Sequence, residues 1–141
     1  MDKRIKSLQH VGYFVHDMDD SLAMFSRLFG IEQADVRSMS ADETAGTGRF
    51  SFIDVAGVEL ELIQLLDQKV KNMCGDPAPG ISHIALQVED IDGLVADLAE
   101  RGFRLGYVTP DGIFDNGRSK VAYLEPEDTQ GYLVELVEPR A

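Results

Sequence analysis

The chain has 141 residues, 44% of them hydrophobic, which is enough apolar material to fill the core of one ordinary domain. Its 25 acidic against 13 basic residues leave a net charge of −12, which excludes the cationic surface that nucleic-acid backbones require. No apolar window approaches the ~20 residues of a membrane span, the opening "MDKRIKSLQH" lacks the apolar stretch of a leader, and the lone Cys74 allows no intrachain disulfide. These features suit a cytoplasmic protein with neither nucleic acid nor membrane as partner.

The first element predicted is a strand in "LQHVGYFV". The two-residue period puts Val11, Tyr13 and Val15 on one face and Leu8, His10, Gly12 and Phe14 on the other. A helix follows, with Asp17 or Asp19 as its N-cap, an apolar stripe of Met18, Leu22, Phe25 and Phe29, and Gly30 as its stop. Three strands are predicted next, near "QADVRSMS", "GRFSFIDVAG" and "VELELIQLL". The polar "DQKVKNMCGDPAPG", residues 67–80, reads as a connection.

The pattern then repeats. "ISHIALQV" puts Ile84, Leu86 and Val88 on one face and His83, Ala85 and Gln87 on the other. A helix with the stripe Ile91, Leu94, Val95 and Leu98 ends at Gly102, and strands are predicted near "RLGYVT", "KVAYLEP" and "GYLVELVE". Setting His10 on His83 aligns Val15 with Val88 and Asp17 with Asp90. "GVELELIQ" matches "GYLVELVE", with Glu61 on Glu135. The expected fold is α+β: one domain, residues 1–141, of two βαβββ modules at about 1–67 and 80–141.

Each module thus carries a histidine on its first strand and a glutamate on its last. Two neutral imidazoles and two carboxylates suit one divalent metal ion (Co, Ni, Mn, Zn or Fe, with Mg also compatible). The expected ligands are His10, Glu61, His83 and Glu135. Glu59 shares a face with Glu61 but aligns with Leu133, so Glu61 is preferred. His16 aligns with Glu89 and reads as surface, as do Glu125, Glu127 and Glu138. Cys74 has no visible base beside it.

On "LQHVGYFVHDMDDSLAMFSRLFG", "GVELELIQ", "ISHIALQVEDIDGLVADLAERG" and "GYLVELVE" the chain resembles the vicinal oxygen chelate superfamily, also described as glyoxalase/bleomycin-resistance/dioxygenase proteins. The resemblance implies a curled eight-stranded mixed sheet around a metal cavity, with His10, Glu61, His83 and Glu135 as ligands. It also implies a homodimer. Within the superfamily, the chain looks most like the methylmalonyl-CoA epimerases. That branch implies metal-dependent removal and return of a proton next to a carbonyl, an acyl-CoA substrate, and Glu135 as both ligand and base. A glyoxalase I-like lyase uses the same ligand set, and a small-molecule binding protein of the bleomycin-resistance type retains the same fold. The chain departs from epimerases at Glu125–Pro126, where they have His–Pro. It departs again in "GRFSFIDV", where Ser51 stands near the place of a second acid and Asp54 is the only carboxylate. Arg118 and Lys120 are the candidate cations for a phosphorylated arm.

Overall fold

A computed structural model describes all 141 residues. Its strands are β1 (Ile5–Phe14), β2 (Val36–Ser38), β3 (Gly48–Val55), β4 (Val58–Leu65), β5 (Gly80–Val88), β6 (Phe114–Asp115), β7 (Ser119–Tyr123) and β8 (Val134–Pro139). Its helices are α1 (Met18–Phe29), α2 (Ala41–Thr44), α3 (Gln68–Met73) and α4 (Ile91–Glu100). The strands form one open eight-stranded sheet in the order β2-β3-β4-β1-β5-β8-β7-β6. It is mixed: β5 and β8 run parallel, whereas β2–β3, β3–β4, β6–β7 and β7–β8 are antiparallel. The chain divides into two compact units, residues 11–82 and residues 1–10 with 83–141.

In the unit of residues 11–82, α1 begins where expected. The Asp17 carboxylate accepts from the Asp20 N–H at 2.9 Å, and Gly30 ends the helix in the left-handed conformation. Met18 and Phe25 pack with Ile53 and Leu62, flanked by Tyr13, Val15 and Leu22. Burying side chains of this size stabilises by roughly 1.5–3 kcal/mol each. Phe29, the last residue of the predicted stripe, instead stacks on Phe25 at the edge of this core and stays 44% exposed. The β3–β4 hairpin turns on Ala56 and Gly57, both at positive φ, the form a two-residue hairpin prefers.

Two short helices correct the sequence reading here. The span 33–40 is strand only at Val36–Ser38. Beyond it, Ser40 and Glu43 form a reciprocal capping box that starts α2. The span 67–80 is likewise not plain connection, because Asp67 caps α3 by accepting from the Val70 N–H at 3.0 Å.

In the unit of residues 1–10 and 83–141, Ile91 and Leu94 of α4 bury against Val88, Ala122, Leu124 and Leu136. The predicted strand "RLGYVT" does not form. Leu105 makes an isolated bridge to Leu124, and the chain then turns through Gly106–Thr109, with Tyr107 in the left-handed region. The strand that pairs with β7 at this position is β6, farther along the chain. β8 also starts later than predicted, at Val134.

Candidate metal centre

Alternation along three strands sorts apolar from polar chemistry. On β8, Val134 and Leu136 join the α4 core, so Glu135 and Val137 point to the other face of the sheet. On β7, Ala122 lies in that core and Tyr123, directly opposite Glu135, lies on the glutamate's side. On β5, Leu86 and Val88 go to the helix, which turns His83 and Ala85 away from it. His10, His83 and Glu135 are each less than a tenth exposed.

Their tips converge. His10 Nε2 is 3.0 Å from His83 Nε2, and Glu135 Oε2 is 3.2 Å from the first and 3.3 Å from the second. The rings meet edge to face with centroids 5.1 Å apart. Gln9 Oε1, 3.0 Å from His10 Nδ1, would accept an Nδ1–H when an ion is bound and so free the Nε2 lone pair to ligate it. Burial pushes the Glu135 carboxyl upward, but hydrogen bonds from His10 and His83 outweigh it and hold the pKa down to about 2. The group is therefore ionised at neutral pH.

This donor set fits a divalent ion. Ligands in adjacent positions at ordinary metal–nitrogen and metal–oxygen bond lengths of about 2.1 Å stand about 3 Å apart, matching the 3.0–3.3 Å triangle. Two neutral nitrogens and one carboxylate oxygen are the donor types that first-row divalent metals take.

In the unit of residues 11–82, Glu61 is half-buried on β4 and directly opposite Phe52 of β3, which in turn opposes Arg37 of β2. The three share the face turned away from α1, because the intervening Leu62 and Ile53 bury against that helix. The Arg37 guanidinium lies 4.0 Å from the Phe52 ring centroid and reaches the Glu59 carboxylate at 3.4 Å. Glu59, the rival to Glu61 on the same face, is thus engaged by a cation.

Several other sequence candidates fall away from this chemistry. Ser51 opposes Leu62, on the α1 side of β3; it is buried, and its hydroxyl bonds Ser38 Oγ at 2.8 Å. It does not stand on the face of Glu61. Asp54 accepts from the Gly57 N–H in the hairpin turn. Lys120 shares its face of β7 with the core residue Ala122, away from Tyr123, and binds Asp92 at 2.6 Å. Glu138, read as a solvated residue, is half-buried and accepts from the Asp90 N–H at the start of α4. His16 is exposed, as expected. Two residues that sequence reasoning missed border the cluster. The Tyr123 ring lies 5.8 Å from that of His83, and Gln9 orients His10.

The chain belongs to the Glyoxalase/Bleomycin resistance protein/Dioxygenase superfamily, whose family model matches residues 9–123. It is 33% identical over 137 residues to the ethylmalonyl-CoA/methylmalonyl-CoA epimerase of Cereibacter sphaeroides, covering 94% of this chain and 97% of that protein. A methylmalonyl-CoA epimerase from Mycobacterium tuberculosis superposes with a TM-score of 0.79 at 27% identity, covering all of this chain and 93% of that one. A variant of the Streptomyces coelicolor methylmalonyl-CoA epimerase, in complex with 2-nitronate-propionyl-CoA, superposes with a TM-score of 0.70 at 25% identity, covering 97% of this chain and 99% of that one. These relatives are isomerases, in agreement with the isomerase-type enzyme expected from the sequence, and they support an epimerase-like function. No helix is long and apolar enough to cross a membrane.

Proposed function

We propose that the protein is a divalent-metal-dependent epimerase of a 2-methylmalonyl-CoA-like thioester. The observation that carries this reading is the buried triangle of His10 Nε2, His83 Nε2 and Glu135 Oε2. His10, His83 and Glu135 would hold the ion, with Glu61 as the fourth ligand. Glu61 is supported by its repeat relation to Glu135 and by donor chemistry, since His10, Glu61 and His83 are of the types that hold a metal together.

When bound, the ion supplies a Lewis acid that polarises the thioester carbonyl and stabilises the negative charge formed beside it. Glu135 takes the proton from the carbon between the two carbonyls. It is ionised at neutral pH and a weak base, so most of the barrier must be lowered by stabilising the product charge. The apolar floor of Ala85 and Val137 limits water around the carboxylate. Return of the proton to the opposite face is assigned to a second group, for which Glu61 is the candidate by symmetry.

We read residues 1–141 as one domain of two repeat modules, supported by the matched strand–helix order at β1–α1 and β5–α4. A homodimer is supported by an apolar surface on the unit of residues 11–82. There Phe29, Val55 and Ile81 are exposed around a cavity of about 310 Å³ that Val11, Tyr13, Val58 and Leu60 also line. Sedimentation at micromolar concentration checks this, and a monomer refutes it. A reducing cytoplasmic setting is supported by the lone Cys74.

The enzymatic test begins with metal-loaded protein, one ion per chain by elemental analysis, and a single epimer of methylmalonyl-CoA. Conversion to the other epimer is expected. Full metal occupancy with no conversion, together with turnover of a methylglyoxal–thiol adduct, would transfer the protein to the glyoxalase-type lyases.

A further inference from the structure

The proposed metal site uses His10, His83 and Glu135, but the aromatic line that starts there runs on. His10 and His83 have ring centroids 5.1 Å apart, His83 and Tyr123 5.8 Å, and Tyr123 and Tyr107 6.2 Å. Exposure rises along the line: the histidines are buried, Tyr123 is half-buried, and Tyr107 is exposed.

Tyr107 stands at the outer end in a conformation that side chains avoid, with φ +59°. Its neighbours hold it there. The Gly106 N–H donates to the Tyr123 carbonyl at 2.9 Å, and the Thr109 N–H donates to the Gly106 carbonyl at 3.1 Å. The Tyr123 N–H donates to Thr109 Oγ1 at 2.8 Å, and Thr109 is buried. The turn of residues 106–109 is therefore fastened, on both sides, to the backbone of the residue whose ring lies against His83. Beyond Tyr107 the chain from Val108 to Phe114 lines a cavity of about 160 Å³, with Val108 and Phe114 presenting apolar surface. The only charged residue lining it is Asp111, so its chemistry suits an uncharged chain and opposes a phosphate.

We propose that Tyr107 is a substrate-positioning residue: its ring holds the uncharged, amide-bearing arm of the thioester as that arm leaves the His10–His83–Glu135 cluster, and the cavity of residues 108–114 takes the next portion. This rests on the thioester reading above. An aromatic ring packs well on methylene and amide surface, and a tyrosine has only two torsions to order. The strained turn aims that ring.

The test compares metal-loaded wild type, Tyr107→Gly and Tyr107→Phe on two substrates, methylmalonyl-CoA and the S-methyl thioester of the same acyl group. In Tyr107→Gly the ratio of kcat/KM for the long substrate to that for the short one should fall by about tenfold, the size of one lost aromatic contact. The loss should lie in KM. Tyr107→Phe should keep the ratio. The thermal midpoint of Tyr107→Gly should be unchanged or raised, because glycine adopts this φ without strain. An unchanged ratio overturns the inference. If wild type epimerises neither substrate, the epimerase reading fails by itself, and the arm is read by calorimetric binding of propionyl-CoA. Binding about tenfold weaker in Tyr107→Gly supports the inference; equal binding, or no binding to wild type, overturns it.

Discussion

The two glutamates that the repeat pairs, Glu135 and Glu61, fall in different units, whereas both repeat histidines fall in one. In residues 1–10 and 83–141, two histidines and one glutamate are packed tip to tip below a tenth exposure, and the carboxylate is held far below its ordinary pKa by its neighbours. In residues 11–82 the repeat-related Glu61 is only half-buried, in a cross-strand row with Phe52 and Arg37. Strand alternation determines which face a side chain takes in both units. What that side chain can do is decided by its neighbours across the sheet, and these a repeat does not carry over. In the proposed reading Glu135 is both ligand and base, and Glu61 is the fourth ligand and the candidate second acid.

The largest effect expected from this contrast is on metal affinity. His83→Ala removes a neutral donor from the tightest part of the cluster, and affinity should fall by well over about 100-fold, beyond what loss of an outer partner of a ligand typically costs. Competition with a chelating dye measures it, with circular dichroism confirming the fold. Full occupancy in this variant would remove His83 from the ligand set.

Acid should expose the asymmetry next. In the metal-free protein the folded pKa of Glu135, about 2, lies below the unfolded value of about 4.3. The stability contributed by its contacts is therefore full above the unfolded value and is lost as pH falls from there through the folded one. The loss is on the order of 2–3 kcal/mol. Urea unfolding from pH 6 down to pH 2.5 should show wild type converging on Glu135→Gln; parallel curves would mean that the histidine contacts do not hold the carboxylate.

Glu61→Gln keeps an oxygen donor and loses a charge. It should weaken metal binding by a smaller factor than His83→Ala, measured in the same competition experiment. An equal or greater loss would erase the distinction between the two units. The smallest effect concerns Ser51→Ala, which leaves the Ser38 hydroxyl without its partner and should cost about 1 kcal/mol of stability while leaving kcat unchanged. A large fall in kcat would mean that Ser51 reaches the chemistry after all.

Much of this was legible in the chain itself. His10, His83, Glu61 and Glu135 stood out because the same residue types recur at matched places, and the α1 and α4 stripes followed from helical spacing. The misses have physical causes. Leu105, Tyr107 and Thr109 alternate like a strand, but hydrogen bonds to Tyr123, far along the chain, fold them into a turn. The capping box of Ser40 and Glu43 was a local signal that starts a single helical turn, Ala41–Thr44, too short to show an apolar stripe. The side taken by Ser51 depends on the β3–β4 register, which the two-residue turn at Ala56–Gly57 sets. Tyr123 became visible only once β7 lay beside β8.

The central claim is that Glu135, beside His10 and His83, moves the proton next to a thioester carbonyl. It is tested by incubating metal-loaded protein with one epimer of methylmalonyl-CoA in deuterated water and following the α-proton resonance. The account predicts deuterium uptake accompanied by epimerisation, slowed by about 10²- to 10⁴-fold in Glu135→Gln. Uptake at the wild-type rate in Glu135→Gln, with metal bound in both proteins, would contradict it.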